Sequence, residues 1–99
     1  MNVIKESITG TLESCDIQII MEPGTNGIEI NLQSSVEKQF GNHIKSLIYQ
    51  LLVNEGIENA SLLVIDKGAL DCTIKARVLT AITRSTDSEY IFNCEEILQ

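Results

Sequence analysis

Four side chains capable of chemistry stand together in the segment Glu13-Ser14-Cys15-Asp16. A thiol reacts as its thiolate, and the flanking carboxylates of Glu13 and Asp16 disfavour that form at Cys15, leaving a weak nucleophile at neutral pH. Ser14, read from its neighbours alone, is a turn serine. To attack a carbonyl it would need a base, and the single histidine of the chain is His43. His43 lies beside an apolar stripe, next to Ile44, and no third group is placed to orient a Ser14–His43 pair. An autonomous hydrolase is weakly supported. Glu13, Asp66 and Asp71 are candidate paired carboxylates, but capping, turn formation and solvation account for them as well.

Metal and nucleotide chemistry find less. Cys15, Cys72 and Cys94 are 57 and 22 positions apart and form no C-x-x-C pair, so a Cys/His zinc site has no sequence support. Gly41, Gly56 and Gly68 are isolated, with no phosphate-cradling glycine pattern. Two Phe, two Tyr and no Trp leave little for stacking on bases.

The elements that must position these residues follow from periodicity. Residues 8–22 read as a strand, a tight turn or bulge around Ser14, and a second strand ending at Pro23. Ile28, Ile30 and Leu32 alternate with Glu29, Asn31 and Gln33 as in a half-wet strand. The turn residues Pro23-Gly24-Thr25-Asn26-Gly27 between them predict a hairpin over residues 16–33.

Ser34-Ser35-Val36-Glu37 is a helix-start signal. Val36, Phe40, Ile44, Leu47, Ile48 and Leu51 then mark a core-facing stripe that ends at Asn54-Glu55-Gly56, with Gly56 suited to the left-handed cap. Residues 61–66 are almost wholly apolar, as in an interior strand. Lys67-Gly68 turns the chain, and Leu70, Ile74, Val78, Ala81 and Ile82 mark a second helix over residues 69–84, with Asp71 and Lys75 spaced to pair. The predicted fold class is α+β: a two-layer sandwich of a small mainly antiparallel or mixed sheet with two helices on one face. Residues 1–99 are expected to form a single domain, with residues 85–99 a C-terminal tail.

Composition narrows the partners. The 99 residues carry 14 acidic and 7 basic side chains, a net charge of −7, with 43% hydrophobic residues. That suits one globular domain and argues against nucleic acid and anionic membranes. Lys75, Arg77 and Arg84 read as ordinary solvated charge. No apolar run is long enough to span a bilayer and no secretory segment is evident, so reduced thiols and a cytoplasmic location are expected.

Ser14 gains meaning from its surroundings. Gly10-Thr11-Leu12-Glu13-Ser14-x-Asp16 resembles the prosthetic-group attachment segment of the citrate lyase acyl carrier (gamma subunit) family. Two further blocks resemble the same family in the same order: Ser34-Ser35-Val36-Glu37-Lys38-Gln39-Phe40-Gly41, and Asp66-Lys67-Gly68-Ala69-Leu70-Asp71-Cys72 followed by the helix bearing Arg77. The resemblance covers residues 9–84. It implies a carrier and not a catalyst. Ser14 would hold 2'-(5''-phosphoribosyl)-3'-dephospho-CoA through a phosphodiester, whose thiol carries acetyl and citryl groups while citrate is cleaved to acetate and oxaloacetate.

The implied partners are the alpha (transferase) and beta (lyase) subunits and a dedicated prosthetic-group transferase. The family commonly has Gly or Ser after the modified serine, where this chain has Cys15. The acidic flank Glu13/Asp16 is expected to repel the arm's phosphates. Related carriers of citramalate lyase or malonate decarboxylase share the prosthetic group, and an unmodified acidic interaction or regulatory domain is the alternative from another class.

Overall fold

Apolar side chains alternating along the strands and recurring every three to four residues along the helices give six elements. In the computed structural model, residues 2–34 and 37–86 are described. They form β1 (Ser7–Gly10), β2 (Ile17–Glu22), β3 (Ile28–Ser34), α1 (Glu37–Asn54), β4 (Ala60–Asp66) and α2 (Asp71–Thr86). The sheet order is β1-β2-β4-β3, with β1–β2 and β2–β4 antiparallel and β3–β4 parallel. This is the predicted mixed sheet with two helices.

The predicted hairpin over residues 16–33 does not form, because β4 lies between β2 and β3. Its nearly all-apolar sequence suits an interior position, and α1 supplies the crossover that a parallel β3–β4 pair requires. Residues 23–27 are therefore not a tight reversal but a bridge across the start of β4, spanning two strand spacings of about 4.8 Å each. Gly24 passes so close to Ala60 that a Cβ there would lie 2.8 Å from its carbonyl carbon. The Gly27 N–H donates to Asn59 Oδ1 at 2.8 Å, and Gly27 O accepts from Ala60 N–H at 3.1 Å.

Register explains which face is buried. Thr9, Ile19, Val64 and Leu32 form one row across the four strands, and Ser7, Met21, Leu62 and Ile30 form the next. These rows meet Ile44, Ile48 and Leu52 of α1 and Ile74, Val78 and Ile82 of α2 in one core. Each fully buried aliphatic side chain contributes about 1.5–3 kcal/mol. The two polar residues of β1 are satisfied by α2: Ser7 Oγ donates to Ala81 O at 3.2 Å and Thr9 Oγ1 to Arg77 O at 3.1 Å.

The end of α1 closes as expected. Gly56 has φ +78°. Its N–H donates to Val53 O, and that of buried Ile57 to Leu52 O, the paired bonds of a Schellman cap. Ser34, expected at the helix start, is the last residue of β3, and its Oγ donates to Asp66 Oδ2 at 2.8 Å; Ser35 and Val36 lie outside the described residues. Two stripe residues are not core: Phe40 is 51% exposed and Leu70 69%. Both lie beyond the end of the sheet, where no strand remains to cover them. Ser85 and Thr86 belong to α2, and the remainder of the predicted tail, residues 87–99, lies outside the described residues.

Candidate functional site

The end of β1, the start of β2, the ends of β3 and β4, and the first turns of both helices all meet at one pole of the sheet. Ser14 sits there, exposed, at the second position of a turn closed by Asp16 N–H donating to Glu13 O at 3.2 Å. No group among the described residues exchanges a hydrogen bond with its hydroxyl. His43 is engaged elsewhere: its Nε2 lies 3.0 Å from both Asp71 carboxylate oxygens, linking the second turn of α1 to the start of α2. Asp71 thus reaches across to His43 instead of pairing with Lys75 along its own helix. A Ser14–His43 nucleophile–base pair is not assembled.

The candidate carboxylates divide into separate roles. Asp66 is buried and accepts from Ser34 Oγ and from Ala69 N–H at 3.0 Å, which shapes the β4–α2 turn. Glu13 points to solvent. Asp16 is the organiser. Its carboxylate accepts from Thr11 Oγ1 at 2.6 Å, from Ile17 N–H at 2.7 Å, and from Arg77 Nε at 3.2 Å and Nη2 at 2.9 Å. Burial alone would raise its pKa, but the hydrogen bonds from Thr11, Arg77 and Ile17, together with the Arg77 charge, outweigh this and hold it at about 2.

Two sequence expectations change in consequence. Arg77 is not solvated charge but the clamp of the Ser14 loop across 61 positions of chain. Nor is Asp16 a free negative charge beside Ser14, because Arg77 neutralises it. Only Glu13 remains of the acidic flank. Sequence reasoning also missed Thr11 and the main chain of Lys67. Lys67 O accepts from Cys15 N–H at 2.8 Å, and its N–H donates to Asp16 O at 2.9 Å. The loop is thereby bonded like an extra strand pair to the β4–α2 turn. For Arg77 a signal did exist: it stands with the third of the three matching blocks, and Asp16 with the first.

Cys15 has φ +64°, the sole positive φ of a non-glycine among the described residues. A left-handed third position in a β-turn ordinarily belongs to Gly or Asn, which gives a steric reason for a small residue after the serine. The strain is worth about 1–2 kcal/mol, and glycine returns about 0.5–1 of it through its unfolded-state entropy. Cys15→Gly is therefore expected to raise stability by up to about 1 kcal/mol, read as a higher urea midpoint. A lower midpoint would contradict the left-handed assignment.

Among the described residues, the site is thus an exposed serine hydroxyl with no hydrogen-bond partner, on a turn held by Asp16, Arg77 and Lys67 at one pole of an α+β domain. A family model described as "ACP: Malonate decarboxylase delta subunit (MdcD)" matches residues 4–85. Citrate lyase acyl carrier protein of Lacticaseibacillus casei (strain BL23) is 53% identical over 97 residues, covering 98% of this chain and 95% of that one. The protein of the same name from Leuconostoc mesenteroides subsp. cremoris is 54% identical over 88 residues, covering 89% and 91%. The chain belongs to the citrate lyase acyl carrier protein family. Its fold is also that of a chain in a Pseudomonas malonate decarboxylase hetero-tetramer crystallised with malonate: TM-score 0.73 over 85% of this chain and 87% of that one, at 20% identity. Among the described residues no helix is long and apolar enough to cross a membrane.

Proposed function

We propose that this chain, as one carrier domain over residues 1–99, is the non-catalytic acyl carrier (gamma) subunit of a cytoplasmic citrate lyase. Ser14 is the attachment point, through a phosphodiester, of 2'-(5''-phosphoribosyl)-3'-dephospho-CoA. When bound, that group supplies a thiol on which acetyl and citryl units travel between the alpha and beta subunits. The chain's own residues need only present and hold the anchor. A phosphodiester requires a reachable hydroxyl, not a low-pKa one, and the observation that carries the reading is Ser14 Oγ standing exposed, without a hydrogen-bond partner among the described residues, on a turn fixed by Asp16, Arg77 and Lys67. A tether rooted on such a turn keeps its load at an effective concentration of about millimolar for neighbouring subunits.

A carrier for malonate decarboxylase is the second reading, favoured by the description of the family model and by the fold neighbour. Relatives at 53–54% identity favour citrate lyase. The test is intact-mass and peptide mass analysis of protein purified from its own host. The expected result is the mass of the prosthetic group on the peptide containing Ser14. In Ser14→Ala that mass and all lyase turnover are lost, with the circular dichroism spectrum unchanged. An active complex whose Ser14 peptide carries no added mass would exclude the proposal and leave an unmodified interaction domain.

A further inference from the structure

Beside the β4–α2 turn, between the N-terminal parts of the two helices, lies a cavity of about 450 Å³. Its walls are Phe40, Ile44, Ala69, Leu70 and Ile74, and its rim carries the His43–Asp71 pair. We infer that this groove is a resting site for the acetylated, uncharged end of the arm borne by Ser14; the inference rests on the reading of Ser14 given above.

Three observations select that occupant. The first is the tether. Lys67 is bonded through both its main-chain groups to Cys15 and Asp16, and the next three residues, Gly68, Ala69 and Leu70, line the groove. A group rooted at Ser14 therefore meets it at roughly millimolar effective concentration, so even a contact of millimolar intrinsic affinity is about half occupied. Such weak holding also permits release to a partner subunit.

The second is chemistry. The walls are aliphatic and aromatic, which suits a thioester and its short amide-linked chain. The carboxylates of Asp66 and Asp71 border the same space and turn away the phosphates at the other end of the arm. The third is size. The volume falls within the range of about 300–1,000 Å³ typical of small-ligand pockets, and the large exposed side chains Phe40 and Leu70 stand at it with no strand to cover them.

The test is carbon–nitrogen NMR on two preparations. The unmodified chain, titrated with free S-acetylpantetheine up to about 20 mM, is expected to show saturable shifts of the Ile44 and Ile74 methyls and the Ala69 amide. The acetylated carrier from the native host should show the same shifts without any addition. Leu70→Ser and Phe40→Ser change exposed residues, so the fold survives; each should weaken binding at least fivefold while the mass on Ser14 is retained. In the acetylated carrier each should also hasten alkaline hydrolysis of the thioester by a few-fold. Signals in the groove that do not move although Ser14 is fully loaded would overturn the inference alone. So would groove signals that respond only to added partner subunits. A bare Ser14 in active lyase would overturn the reading of Ser14 as well.

Discussion

Gly10→Ala should destabilise the fold by about 3 kcal/mol or more. Gly10 has φ +83°, and a Cβ built there would stand 1.8 Å from Ile17 O and 2.9 Å from Ile17 C. Those are backbone atoms, so no rotamer change relieves the overlap. Ile17 is fully buried and is registered opposite Asp66 in β4. It cannot withdraw without disturbing the sheet interior. The cheaper escape is for β1 to pull away from β2, breaking the Gly10–Gln18 pairing from which the Ser14 loop departs.

The comparison that isolates the clash is Gly27→Ala. Gly27 has φ +80° but an added Cβ there meets nothing within 4 Å, so it incurs only the left-handed strain of about 1–2 kcal/mol. With a urea slope of about 1–3 kcal/mol per M, Gly10→Ala should lower the unfolding midpoint by about 1 M or more and Gly27→Ala by distinctly less. Equal shifts would mean that the close approach to Ile17 carries no weight. The glycine that opens the first matching block thus has a structural role, since it lets the chain leave β1 against the backbone of β2 and set the serine at the pole.

The elements were legible because each is a local pattern. Both helical stripes, the apolar β4 and the turn at Ser14 depend on residues within a few positions of each other. What local patterns cannot carry is adjacency. The Asn26-Gly27 signal marks a change of direction correctly, yet nothing near it reveals that β4, more than thirty residues later, will occupy the space between the two strands. Phe40 and Leu70 fit their helical stripes but lie past the end of the sheet, which periodicity does not see.

The site was legible as three ordered blocks and not as one place. Its joints are Asp16–Arg77, Ser34–Asp66 and Cys15–Lys67, each linking different blocks. The fold brings them together at the end of the sheet where both helices begin. Reading the blocks separately made Arg77 a solvated cation and Asp16 a repelling anion. Together they are a neutral clamp.

Breaking that clamp should uncouple the serine from the fold. Arg77→Met keeps much of the aliphatic stem but removes two hydrogen bonds to a carboxylate whose side chain is only 13% exposed. Arg77 itself is 39% exposed, so the loss falls between that of a surface pair and a buried one, about 1–3 kcal/mol near neutral pH. Asp16→Asn should cost a similar amount, and because the two changes delete one interaction the double variant should cost less than their sum.

Acid supplies an independent check. The Asp16 pKa lies at about 2 in the folded chain against an ordinary value of 3.8. Its contribution is therefore complete above about pH 5 and is lost as the pH falls through 3.8 toward 2. Over that interval the stability of the wild-type chain should fall toward that of Asp16→Asn. A constant gap between them would remove Asp16 from the titration.

The functional consequence follows from geometry. On the proposed reading of Ser14, Arg77→Met leaves the anchor hydroxyl in place but frees the turn that presents it, so the enzyme that attaches the group must select the productive turn from a wider ensemble. At a temperature where both chains are fully folded, attachment should slow by about tenfold, one order for each 1.4 kcal/mol of lost preorganisation. Unchanged attachment alongside a measurable stability loss would show that the transferase reads the serine segment without regard to its anchoring, and that Arg77 serves the fold alone.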